Sequence, residues 1–179
     1  MAEEKKERWL NYLALTTVIF AVCATLSTFK GGGYSTRSVL SQSQASDQWA
    51  YFQSKSIKGY LYELQKEKFE VELKSQKANT SRSLSGDYQK KIDTYSQKIK
   101  KYEEEKSRIE QEARKLEGIR DEAQKHSQAF GMAVIFLQIT ILLSSIAALM
   151  KKKIVWILGM VLGVFGMVYF ANGFFLFIK

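Results

Sequence analysis

The sequence predicts an all-α membrane protein: three transmembrane helices, with a long antiparallel helical hairpin (a coiled coil) outside the bilayer. Three observations carry that reading. Apolar runs at residues 9–29, 129–150 and 154–178 are each long enough, at about 1.5 Å per residue, to cross a bilayer core of roughly 30 Å. Between the first two lies a polar stretch, 30–128, with an apolar seam at heptad spacing. Proline is absent from all 179 residues, so no residue forces a helix to break.

The first eight residues are short and charged, with Lys5, Lys6 and Arg8 beside three glutamates. Trp9 to Phe29 then holds no Asp, Glu, Lys, Arg or His. A basic start, an apolar run and small residues near Ala24–Ser27 also fit a cleaved signal peptide; the reading taken is an uncleaved anchor. Val22 stands where a lipoprotein-type cleavage site would need a small residue before Cys23. Next come Gly31, Gly32 and Gly33, where missing side chains permit positive φ and predict a break or turn. A Ser/Gln-rich stretch, Ser35 to Ser46, has weak helix propensity, and Asp47 opens a helix expected to reach Lys77.

That helix carries two apolar faces. At 100° per residue, Trp49, Ile57, Tyr60, Leu64 and Val71 share one side. Tyr51, Tyr62, Phe69 and Leu73 share nearly the opposite side. Residues 79–86, Asn-Thr-Ser-Arg-Ser-Leu-Ser-Gly, read as the hairpin tip, because serine, asparagine and glycine compete with helical hydrogen bonding. Asp87 is then the predicted N-cap of a second helix, running from Tyr88 to about Gln128. Its seam is Tyr88, Ile92, Tyr95, Ile99, Tyr102, Ile109, Ala113 and Leu116. Antiparallel pairing is expected to set this seam against Trp49, Tyr60, Leu64 and Val71. The face left over, Tyr51, Tyr62, Phe69 and Leu73, becomes the candidate subunit interface, since exposed aromatic patches mark contacts.

The second span follows without a separating signal, and Lys151-Lys152-Lys153 joins it to the third. So short a connection makes those two spans adjacent and antiparallel. Gly159 and Gly163, with Gly166, form a small-residue pattern that lets membrane helices approach closely, and Gln138 could hydrogen-bond across helices. These four are the candidate membrane-helix packing residues. The lysine loop and the basic N-terminus are expected on the cytoplasmic side, which puts the hairpin on the other side.

Composition narrows function mostly by exclusion. The net charge is +9, yet 20 of the 27 basic residues lie between Lys30 and Lys125 among 15 of the 18 acids. Mixed signs suit a solvated helix face better than a nucleic-acid groove, so no nucleic-acid partner is expected. One cysteine and one histidine, Cys23 and His126, give no disulfide framework and no metal cluster; His126 reads as a surface residue. The glycine run lacks the lysine and Ser/Thr of a phosphate loop. Carboxylates on solvated helices have no burial to tune a catalytic pKa. No enzyme, cofactor or metal is therefore expected. Spans without interior charge argue against ion-coupled transport.

Thr28-Phe29-Lys30-Gly31-Gly32-Gly33, followed by Asp47-Gln48-Trp49-Ala50-Tyr51-Phe52-Gln53-Ser54-Lys55-Ser56-Ile57-Lys58, resembles an uncharacterised bacterial membrane-protein family, a domain of unknown function catalogued as four-three-three-seven. The order of one span, a charged helical middle and two closing spans also resembles that family. The resemblance implies a multi-pass bacterial inner-membrane protein and brings no catalytic residues. The expected function is a non-enzymatic scaffold in the lipid bilayer that self-assembles through its hairpin and membrane helices. A homo-oligomeric channel and an accessory subunit of another membrane complex are the alternatives.

Overall fold

Three α-helices account for almost all of the described residues, 2–76 and 82–178, and no strand occurs among them. In this computed structural model, α1 runs Ala2–Gln76, α2 runs Arg82–Met150 and α3 runs Lys153–Phe175. Each contains a segment long and apolar enough to cross a membrane. The chain divides into two compact units. One joins Met1–Leu40 to Ile119–Lys179, and the other is Ser41–Gly118.

Three expected boundaries are corrected. The glycine run does not break α1, which stays helical through Gly31, Gly32 and Gly33 and through Ser35–Ser46. Gly31 is buried against α2: a Cβ there would lie 3.0 Å from Cβ of Phe130, and the Ser127 hydroxyl donates to the Gly31 carbonyl at 3.1 Å. This first glycine therefore serves a close backbone approach while keeping helical dihedrals. Residues 82–86 belong to α2, so Asp87 lies inside that helix and is not its N-cap; residues 79–81 lie outside the described residues. Extending a helix already formed costs little, and serine or glycine there adds at most about 1 kcal/mol each. The lysine connection is Lys151 and Lys152 only. Lys151 takes a φ of 51°, and its N–H and that of Lys152 donate to Ala148 and Ala147.

The membrane-like unit packs small residues against large ones. On α3, Gly159, Gly163, Gly166 and Gly173 are buried, at steps of four, three and seven. A Cβ added to Gly163 would meet the Phe20 ring at 2.6 Å, one on Gly166 would meet Leu137 at 2.8 Å, and one on Gly173 would meet the Phe130 ring at 2.6 Å. Phe20, Leu137 and Phe130 thus enter notches that only glycine leaves open. Gly159 is looser, with Leu143 at 3.3 Å. Phe130 is fully buried and meets Phe174 edge-on at 5.0 Å and Tyr34 at 6.0 Å. Hydroxyls of Thr17, Ser27 and Thr140 donate to carbonyls one turn back on their own helices, at 2.7 to 2.8 Å. Helix α3 ends at Leu176, whose N–H donates to the Asn172 carbonyl. The Asn172 side chain accepts from Ile178 N–H at 2.7 Å.

Candidate interaction surface

Within the unit Ser41–Gly118, α1 and α2 pair antiparallel. Trp49 donates its indole N–H to Glu117 at 2.9 Å, Lys55 pairs with Glu105 at 2.6 Å, Tyr62 stacks on Tyr102 at 5.8 Å, and Phe69 meets Tyr88 at 5.6 Å. Rising numbers on one arm meet falling numbers on the other. The α2 seam lies where its heptads put it: Ile92, Ile109 and Ala113 are buried, and Tyr88, Tyr95, Ile99, Tyr102 and Leu116 are half-buried. Lys106 fills the seam position between Tyr102 and Ile109.

The face that α1 offers is the one expected to stay free. Its buried or half-buried positions step by four and three through Ser41, Ala45, Gln48, Phe52, Lys55, Gly59, Tyr62, Lys66, Phe69 and Leu73. Tyr62, Phe69 and Leu73 are therefore hairpin contacts, and the candidate subunit interface they were to form with Tyr51 is occupied within the chain. Tyr51 lies at its edge, 49% exposed. The expected packing residues Leu64 and Val71, with Ile57, are 60–64% exposed, and Tyr60 is 58% exposed with its ring 5.8 Å from the Lys106 amine of α2; only Trp49 of that set is half-buried. Small side chains on the true seam allow the arms to approach, as at Gly59, where a Cβ would lie 3.9 Å from Tyr102.

Lysines in and beside the seam reach its rings and carboxylates, with Lys55 and Lys106 half-buried and Lys91 and Lys98 exposed. Lys55 lies 5.1 Å from the Tyr51 ring and 5.4 Å from Tyr102, Lys98 lies 4.7 Å from Tyr62, Lys91 lies 4.9 Å from Phe69, and Lys106 lies 5.5 Å from Phe52. Such contacts are attractive through the ring quadrupole. The hydrogen bond to Glu105 holds the Lys55 amine above its ordinary pKa, and the same bond lowers the Glu105 carboxyl. Glu103 raises Lys106 likewise.

What remains open on the hairpin is a stripe along α1. Ala50, Ile57, Leu64 and Val71 follow one another at seven-residue steps, all exposed, flanked by Tyr60 and Leu61. A second open feature is Gln138. It faces outward among Ile135, Ile139 and Leu142, and its amide makes no side-chain hydrogen bond to the described residues.

Residues 9–176 match the family model described as Domain of unknown function (DUF4337). The chain belongs to this family. No curated protein and no solved structure matches it.

In this DUF4337 chain, sequence reasoning missed three contact residues of the membrane-like unit. His126 is half-buried rather than a plain surface residue. Its Nδ1–H donates to the Gly173 carbonyl at 2.8 Å, and Tyr34 stacks on its ring at 4.4 Å. Gly173 carried a usable signal, standing seven residues after Gly166. Gly31 also carried one, but its two glycine neighbours pointed to a break instead. Gly159, Gly163 and Gly166 do form helix contacts, within the one chain. No group of three or more metal-ligating side chains occurs among the described residues.

Proposed function

We propose that the chain is a non-enzymatic integral membrane protein, a scaffold that self-assembles as a homo-oligomer in a bacterial inner membrane. Its N-terminus and lysine loop would lie on the cytoplasmic side, and the hairpin outside the bilayer on the periplasmic side. The observation that carries the reading is the open stripe of Ile57, Leu61, Leu64 and Val71, 53–64% exposed on a charged hairpin arm. Heptad-spaced apolar residues exposed to water are stabilised by covering them with another helix. A second copy supplies a matching stripe, and Lys58, Glu63, Glu67 and Lys68 beside it offer both signs of charge for self-complementary pairing.

The test is the mass of the detergent-extracted protein by light scattering. Ile57→Ser with Leu64→Ser is expected to shift the oligomer towards monomer and leave the helix content unchanged. An unchanged mass would refute the stripe as the assembly surface. Gln138 favours a second reading, a homo-oligomeric pore. An amide facing hydrocarbon is costly unless a neighbouring copy or water satisfies it. If the purified oligomer conducts ions in a planar bilayer and Gln138→Leu alters the conductance, the pore reading replaces the scaffold.

A further inference from the structure

On α1, Val22, Leu26, Phe29, Lys30, Gly33 and Arg37 fall within about 100° of one another around the helix, and every one of them is exposed. The order along the axis is apolar first, then a cation, a gap and a second cation. Phe29, at 77% exposed, closes the apolar run, and Lys30 follows directly. Gly32 and Gly33 leave the gap: a Cβ on either would meet nothing within 4 Å. A groove of about 660 Å³ occupies this place, lined by Lys30, Gly32, Gly33, Tyr34 and Arg37. Neither cation belongs to an ion pair among the described residues, and the sequence holds no acid between Arg8 and Ser46. The structure thus presents two unneutralised cations two helical turns apart, with an opening between them and an apolar track leading away on the same face.

From this we infer that the groove binds an anionic phospholipid, its phosphate between Lys30 and Arg37 and an acyl chain along Phe29, Leu26 and Val22. The track favours a lipid over a soluble anion, because a free phosphate would use the cations and leave the apolar residues without a role. Cations at a membrane surface attract acidic headgroups, and the glycine gap allows a headgroup to reach the helix backbone. The inference rests on the membrane reading and is independent of self-assembly.

Native mass spectrometry of the full chain in neutral detergent, with phosphatidylglycerol and phosphatidylcholine as competing probes, tests it. The native protein is expected to retain phosphatidylglycerol preferentially. Lys30→Gln with Arg37→Gln should reduce that preference by roughly 10- to 30-fold, the factor expected of two surface cations. Gly33→Leu fills the groove without changing charge or meeting a neighbour, and should also reduce it. Lys151→Gln with Lys153→Gln should leave retention at this site intact. The proposal fails if the Lys30/Arg37 variant keeps the preference. It fails too if Gly33→Leu has no effect, since the cations would then act as a diffuse patch. Displacement of the lipid by equimolar inorganic phosphate would identify a soluble anion as the ligand and overturn the lipid. Resistance of the protein to alkaline carbonate extraction reports separately on the membrane reading.

Discussion

In the unit built from Met1–Leu40 and Ile119–Lys179, helices meet through glycine notches filled by Phe20, Phe130 and Leu137. In the unit Ser41–Gly118 they meet through aromatic rings edged by lysine. The difference follows from the surroundings each composition implies. Lipid tails are as apolar as leucine, so helices in a bilayer gain little from burying apolar surface and associate through close packing. In water, burial itself drives association, and a lysine stem can cover the seam while its head stays hydrated or paired.

That comparison can be broken most forcefully at the glycine notches. Phe130→Ala removes a fully buried ring and is expected to cost about 3–5 kcal/mol, while Gly163→Leu overpacks the Phe20 notch by roughly 1–3 kcal/mol or more. Both should lower the thermal transition in detergent. A Gly163→Leu protein as stable as the parent would mean that α3 is not held by close approach.

The hairpin offers a sharper contrast between two residues of similar size. Ile92→Ala, in the seam, is expected to cost ~2–5 kcal/mol. Leu64→Ala, on the open stripe, should stay within about 0.5 kcal/mol in the monomer. Urea unfolding of the Ile57→Ser background, where assembly is weakened, separates the two. Equal costs would place Leu64 in the seam after all.

The smallest effect expected is that of acid. Glu105 is held below its ordinary carboxylate pKa by Lys55, so its contribution is present above the unfolded value of about 4.3 and fades as pH falls through the lower folded value. Glu105→Gln should therefore flatten the acid limb of the hairpin's stability and leave the neutral-pH limb nearly parallel to the parent. An acid limb of unchanged slope would mean the pair contributes nothing.

How much of this was legible in the sequence depended on whether side-chain size and polarity agreed with position. The α2 seam was readable because Tyr88, Ile92, Tyr95, Ile99 and Tyr102 are large at heptad steps. Its partner was not, because Ser41, Ala45 and Gly59 are small and Lys55 and Lys66 are charged. Hydropathy alone prefers Ile57, Leu64 and Val71, which face outward. The three apolar runs and the Gly159–Gly163–Gly166 pattern were readable. The continuity of α1 through Gly31 was not, since three glycines signal a turn unless a neighbour such as Phe130 is known to need the space.

The hydroxyls that fold back on their own helices have a consequence for how the spans meet a bilayer. Thr16, Thr17, Thr25, Ser27, Thr28, Thr140 and Ser145 each donate to a carbonyl on the preceding turn. Their polarity is spent locally, so to a lipid these turns resemble alanine or valine more than the composition suggests. Transfer of the first two spans into hydrocarbon is easier than a residue-by-residue scale would assign. Against that quiet background two polar groups of α2's apolar run stand out among the described residues: the outward amide of Gln138 and the buried hydroxyl of Ser144, which has no hydrogen-bond partner.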